Sequence, residues 1–234
     1  MRRAAGRIIE ERSALNRFWH ELGCQLRHPT GGMGRWIGRL MSVINREPNR
    51  LAITALQASP TDSILELGVG SGWALRRLAR LDGRGAICGV DQSTEMLTLA
   101  SRQLRSPPTQ VFLAQAKFAA LPFPSDSFDR LLAVNVAYFF DRDGRDLREA
   151  RRVMRPGGRM VIYVSDRATL AGWPFAGEET HRSYDSDELV DAIRAGGFER
   201  SEITVARVKL PLGVSGLLAT VVKQPRQLPT AQGC

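Results

Sequence analysis

The apolar positions along the chain follow two successive rhythms. Residues 7–26 carry Ile8, Ile9, Leu15, Phe18, Trp19, Leu22 and Leu26 at mostly helical spacing. His28-Pro29-Thr30-Gly31-Gly32 interrupts that pattern, after which helices are expected over 34–45 and 48–58. From Ser63 onward, short apolar runs at 63–67, 86–91, 111–114, 128–134 and 160–164 read as strands. Helical stretches at 73–81, 93–104 and 143–154 separate them, and Pro156-Gly157-Gly158 is expected to turn the chain into the fifth strand. A further helix is expected over 186–195, capped by Asp185 or Ser186, then two strands at 201–209 and 217–223. Strands alternating with helices predict a layered α/β domain with a mostly parallel sheet.

This divides the chain into a helical arm (1–58), the α/β domain (59–225) and a short polar tail (226–234). The arm is too short for a core of its own, so it is expected to pack on the domain, as a lid over the cleft at the strand ends.

Composition narrows the classes. Hydrophobic residues make up 43% and charged residues 24% of 234, ordinary globular values. No apolar run approaches the ~20 residues that cross a bilayer. The basic start is followed by Glu10-Glu11 where a signal peptide needs an apolar stretch, so the sequence reads as cytoplasmic. Cys24, Cys88 and Cys234 are too scattered for a disulfide framework or a metal site, and no metal is expected. Cys88 reads as a buried strand thiol. The net charge of +9 raises the question of nucleic acid. The basic residues are nearly all arginines, scattered and often beside acids, as in Asp141-Arg142-Asp143 and Arg148-Glu149. Nucleic-acid binding is therefore disfavoured.

The chemistry concentrates in Glu66-Leu67-Gly68-Val69-Gly70-Ser71-Gly72, between a strand and a helix. Glycines there let the backbone turn sharply and approach a ligand, although such a loop also serves plain helix–strand packing. Asp91 ends the second strand, where a carboxylate can take both hydroxyls of a ribose or simply cap the next helix. The spacing Gly68-x-Gly70-x-Gly72 is not the dinucleotide fingerprint, and Glu66 suits a cationic ligand better than a diphosphate. S-adenosylmethionine has a ribose and a cationic amino group and carries no phosphate.

Residues 64–72, Gly89-Val90-Asp91, the stretch Leu121-Pro122-Phe123-Pro124-Ser125-Asp126-Ser127-Phe128-Asp129 and the stretch Arg152-Val153-Met154-Arg155-Pro156-Gly157-Gly158 resemble, in order, the motifs of the class I S-adenosylmethionine-dependent methyltransferases. The likeness spans roughly 60–222 and is nearest the small-molecule branch that includes ubiquinone- and menaquinone-type enzymes. It implies a Rossmann-like seven-stranded sheet of order 3-2-1-4-5-7-6 with the last strand antiparallel. It also implies that Gly68, Gly70 and Gly72 line the methionine and ribose portion, with Glu66 and the backbone of Asn135 near the amino group. Asp91 would hold the ribose, with Gln92 and Met96 flanking the adenine. One motif departs. Where the family commonly has Gly-Asp-Ala, this chain has Ala116-Lys117-Phe118, and an ammonium offers no acceptor to the adenine amino group, which leaves the adenine to backbone atoms and Phe118 or makes its binding weaker.

Methyl transfer needs alignment above all, and a base only when the acceptor arrives protonated. Tyr138, His181 and Tyr184 are the candidates for that role. Trp19 and Trp173 are candidates for apolar walls, and Arg27 and Arg35 for contact with an anionic substrate. The leading expectation is a small-molecule methyltransferase in biosynthetic metabolism, monomeric or homodimeric. The alternative is a cyclase or lyase in which the cofactor's own amino group displaces methylthioadenosine. A nucleic-acid methyltransferase ranks third, because Asn135-Val136-Ala137-Tyr138 lacks the Asn/Asp-Pro-Pro-aromatic motif.

Overall fold

The structure, a computed structural model, describes residues 19, 21–24, 44–80, 85–104, 110–173, 175–176 and 181–225. Its elements run α1 (Arg46–Leu56), β1 (Ile64–Leu67), α2 (Trp73–Leu78), β2 (Ile87–Asp91), α3 (Thr94–Gln103), β3 (Val111–Gln115), β4 (Phe128–Val134), α4 (Arg145–Val153), β5 (Met154–Ser165), α5 (Arg167–Ala171), α6 (Ser186–Ala195), β6 (Ile203–Lys209) and β7 (Ser215–Val222). The seven strands form one sheet in the order β3-β2-β1-β4-β5-β7-β6. β7 runs antiparallel to both its neighbours. This is the expected topology.

The sheet is covered on both faces, which is why β1 reads Ile-Leu-Glu-Leu without alternation and is buried throughout. Leu65, Leu67, Leu131, Met160 and Ile162 pack one face with Leu147 of α4 and Ile193 of α6. Ile64, Ile87, Leu132, Val161 and Tyr163 pack the other with Ala52 and Leu56 of α1 and Leu75 and Leu78 of α2. Cys88 of β2 is buried, as expected, and desolvation pushes its thiol up to about 11.

Three boundaries differ from the sequence reading. Pro156-Gly157-Gly158 is not a turn into β5 but lies inside it: pairing starts at Met154 opposite Phe128 and shifts register before Arg130 meets Arg159. Gly157, at φ 78°, absorbs that irregularity, and the buried Lys223 ammonium pins it through Asp126 at 2.7 Å and the carbonyls of Arg151 and Met154. A helix not expected, α5, follows β5 directly, with Asp166 accepting from the Thr169 amide at 2.9 Å. Finally α1, the last helix of the arm, lies on the sheet face across β4 and β5 beside α2, with its N-cap Asn45 reaching Asn135 at the carboxyl end of β4. Of the rest of 1–58, Trp19 and residues 21–24 are helical, and the other arm residues up to 43 lie outside the described residues, Arg27 and Arg35 among them. So does the tail from 226. No helix among the described residues is long and apolar enough to cross a membrane.

Candidate functional site

The loop after β1 holds three glycines in left-handed conformation, Gly68 at φ 73°, Gly70 at 49° and Gly72 at 82°. Their surroundings separate packing from ligand space. A Cβ on Gly68 would lie 2.6 Å from Val136 Cγ2, and one on Gly72 would lie 2.9 Å from Ala100 Cα, so both are filled by protein. A Cβ on Gly70 would meet nothing within 4 Å. The middle glycine therefore borders open space beyond the carboxyl ends of the strands, where ligands bind in open α/β sheets.

Two carboxylates flank this space. Asp91 Oδ2 accepts from the Gly70 amide at 3.1 Å and Oδ1 from the Ser93 amide at 3.0 Å. It braces the glycine loop and the start of α3 at once, while the remaining lone pairs of both oxygens stay available. Ser93 in turn caps α3 by accepting from the Met96 amide at 3.3 Å. Glu66 is 3% exposed, and its Oε2 is buried without a hydrogen-bond partner. Desolvation, and then the negative charge of Asp91, hold the Glu66 carboxyl well above the usual range, with a backbone bond from Leu75 pulling the other way. Burial also raises Asp91. A buried carboxylate missing a partner is costly, and a cation bearing N–H groups would relieve it.

Beside Asp91, the loops after β2 and β3 form a rim. Met96 is buried and Gln92 is half-buried, its carbonyl accepting from Gln115 Nε2 at 3.1 Å. The Ala116 amide donates to the Asp91 carbonyl at 3.2 Å. Lys117 is exposed, whereas Phe118 turns inward and packs edge-on against Phe140, with ring centres 5.7 Å apart. Gln115, which the sequence reading passed over, is the side chain that bridges the rim.

At the end of β4, Asn135 also adopts a left-handed conformation, φ 54°. Its amide donates to the Tyr163 carbonyl at 2.8 Å. Its side-chain Oδ1 accepts from the Tyr138 hydroxyl at 2.8 Å, and its Nδ2 donates to Asn45 Oδ1 at 2.9 Å. The Tyr138 oxygen accepts in turn from the Ser165 amide. Burial drives the Tyr138 phenol above its ordinary value. Tyr184 is 1% exposed, donates to the Ala137 carbonyl at 2.8 Å, and is pushed up to about 12 by desolvation. Neither phenol is placed to accept a proton near neutral pH. The two tyrosines hold the wall.

His181 is buried among rings, 5.0 Å from Phe139, 5.7 Å from Tyr138 and 6.3 Å from Phe175, centre to centre. Trp173 stacks on Phe175 at 5.5 Å. The structure thus gathers Tyr138, His181 and Trp173 at one aromatic wall, and Glu66, Gly70, Asp91 and Asn135 around the strand ends. Trp19 is half-buried in the described fragment of the arm. Asp129 and Asp166, not counted as site residues, are structural: Asp129 takes the Ser63 amide and Arg155, and Asp166 caps α5.

Residues 65–162 match the sequence profile of a methyltransferase domain family. The uncharacterized methyltransferase YdaC of Bacillus subtilis is 28% identical over 177 residues, which are 76% of this chain and 93% of that protein. The ubiquinone/menaquinone biosynthesis C-methyltransferase UbiE of Geotalea daltonii is 33% identical over 54% of this chain, which spans 56% of that protein's length. Among solved structures, a SAM-dependent methyltransferase of Methanosarcina mazei has a TM-score of 0.59 at 21% identity, over 74% of this chain and 97% of that one. The cyclase SpnF has a TM-score of 0.63 at 19% identity, over 76% and 80%. At these identities the structural likeness shows a common fold.

Proposed function

We propose that the chain, which matches a methyltransferase domain over 65–162 and is similar to YdaC, is a class I S-adenosylmethionine-dependent methyltransferase that transfers a methyl group to a small organic acceptor. The observation that carries this reading is the buried, half-partnered carboxylate of Glu66 at the end of β1, with open space before Gly70. When bound, S-adenosylmethionine supplies a methyl group activated by a sulfonium. The residues present fit it. Glu66 takes the ammonium, the free lone pairs of Asp91 take the ribose hydroxyls, and Asn135 lies where the amino-acid part would end. Gly68 and Gly72 shape the loop. Gln92, Met96 and Ala116 border the adenine, with Lys117 exposed at the rim and Phe118 supporting them from the core.

On the acceptor side, His181 is the side chain proposed for proton transfer, buried beside Tyr138 and Phe139. Tyr138 positions it, ring centres 5.7 Å apart, and Trp173 with Phe175 excludes water. A small acceptor, not nucleic acid, is supported by the pairing of surface arginines with carboxylates, as in Arg145 with Asp143 at 2.8 Å and Arg152 with Glu149 at 2.8 Å. The named activity of the UbiE relative points the same way.

Calorimetric titration with S-adenosylmethionine and S-adenosylhomocysteine tests the cofactor site. Mass spectrometry of the overnight mixture without acceptor then tests the reaction class. Binding with intact cofactor supports a methyltransferase. Methylthioadenosine formed faster than in an enzyme-free control would replace it with the cyclase or lyase reading. Binding of neither nucleoside would end both.

A further inference from the structure

Asn45 is the N-cap of α1, a position where asparagine ordinarily accepts from an amide of the first turn and adds about 1 kcal/mol to the helix. Here its side chain makes no cap bond. Oδ1 accepts instead from Nδ2 of Asn135, 90 residues further along the chain. The helix start is closed by other means: the Asn45 carbonyl takes both the Asn49 amide at 2.9 Å and Asn49 Nδ2 at 2.8 Å. That arrangement leaves Asn49 Oδ1 buried and unpartnered in a residue only 8% exposed. The first turn of α1 therefore forgoes a cap and carries an unmet acceptor while it holds on to Asn135.

The held residue explains the arrangement. Asn135 sits in a left-handed conformation that costs a side-chain-bearing residue about 1 kcal/mol or more. It is fastened on three sides, by β5 through the Tyr163 carbonyl, by Tyr138, and by Asn45. The next residue, Val136, presses against Gly68. On the neighbouring strand, in register with β4, lies Glu66. The end of β4 thus forms part of the surface that faces the glycine loop, and its shape depends on Asn45.

We propose that Asn45 is a positioning residue for the amino-acid end of the cofactor: by holding the Asn135 side chain it fixes the backbone of Asn135–Val136 against Gly68. The proposal rests on the S-adenosylmethionine reading and goes beyond it, since it ties the start of α1, outside the matched domain, to one half of the ligand.

The test uses the full chain and two ligands, S-adenosylhomocysteine and 5′-methylthioadenosine, which shares the adenosine but lacks the amino-acid part. Asn45→Ser keeps a good helix cap but is too short to reach Asn135, while Asn45→Asp caps and still offers an acceptor. Asn45→Ser is expected to melt within about 2 °C of wild type and to bind S-adenosylhomocysteine about tenfold more weakly. Its affinity for methylthioadenosine should stay within about twofold, and Asn45→Asp should recover most of the loss. Equal weakening toward both ligands, unchanged affinity for S-adenosylhomocysteine, a much lower melting temperature, or an aspartate no better than the serine would each overturn the proposal. A wild-type chain that bound neither ligand would instead remove the cofactor reading, and the proposal with it.

Discussion

At the end of β1 a carboxylate is buried with one oxygen unpartnered, whereas at the ends of β4 and β5 two tyrosine hydroxyls are equally buried and fully engaged. The first region keeps a polar group at a cost that a ligand can repay. The second has spent its two tyrosine hydroxyls on itself and offers rings: Phe139, His181, Phe175 and Trp173. The same division runs through the glycine loop, where Gly68 and Gly72 serve the protein and Gly70 serves the space in front of it. One half of the cleft is therefore specified by charge and hydrogen bonding, the other by shape.

The largest effect is expected from breaking that division within the loop. Gly72→Ala combines a left-handed backbone with a Cβ driven into the backbone of Ala100, and should cost about 3 kcal/mol of stability. Gly70→Ala carries the backbone strain alone, about 1 kcal/mol, but sets a methyl group in the open space. Urea denaturation and calorimetry should show Gly72→Ala mainly as lost stability and Gly70→Ala mainly as lost affinity for S-adenosylhomocysteine. Equal stability losses would erase the distinction.

The carboxylate side can be sharpened with pH. The folded protein holds Glu66 well above its ordinary range, so ionising it costs the ligand-free fold. That contribution to stability is complete below the ordinary glutamate value and is lost as pH rises through the raised one. An ammonium ligand needs the ionised form, so affinity for S-adenosylhomocysteine should rise over the same window with proton release. Calorimetry in two buffers of different ionisation heat measures that release. Glu66→Gln should flatten most of the pH slope and weaken binding by about 2 kcal/mol above the window, while Asp91, itself raised by burial, leaves a residual slope. A variant with an unchanged slope would show that Glu66 does not meet the ligand.

The tyrosine side predicts the reverse pattern. Tyr138→Phe removes a hydroxyl that donates to Asn135 and accepts from the Ser165 amide, orphaning a buried N–H, and should cost about 2 kcal/mol. Tyr184→Phe loses one bond to the Ala137 carbonyl, about 1 kcal/mol. The pH–rate profile of Tyr184→Phe should match wild type once an acceptor is in hand. A lost acid limb, the fall in rate as a base is protonated, would return Tyr184 to the proton-transfer step.

The strands, the glycine loop and Asp91 were legible in the sequence because each depends on local spacing: a strand, a turn that needs glycine, a carboxylate at the next strand end; the sheet order came only through the family resemblance those motifs carry. What stayed hidden depends on contacts between distant residues. Phe118 was expected at the adenine, yet which way a side chain turns after β3 is decided by Phe140, 22 positions later. Tyr184 read as a candidate base because the sequence does not show that the Ala137 carbonyl lies 2.8 Å from its hydroxyl. The Asn45–Asn135 bond has no sequence signature at all, since Asn45 looks like any helix cap. Helix α5 was missed for a different reason. At five residues it is too short to show periodicity, although Asp166 and Thr169 already stood at cap spacing.

The smallest expected effect concerns the rim where this chain departs from the family motif. Lys117 occupies the position read as acidic in relatives, and that alone predicts weakened adenine binding. In the structure Lys117 is exposed, and the rim is instead closed by Gln115, in register with Asp91, whose amide nitrogen donates to the Gln92 carbonyl at 3.1 Å. With its nitrogen so placed, the Gln115 carbonyl remains as an acceptor at the rim. Lys117→Ala should therefore leave stability within about 0.5 kcal/mol and affinity for S-adenosylhomocysteine within about twofold. Gln115→Ala should weaken that affinity about threefold. Tighter binding by Lys117→Ala, with no change in Gln115→Ala, would mean that the lysine does bear on the adenine and that the departure carries the cost the motif implies.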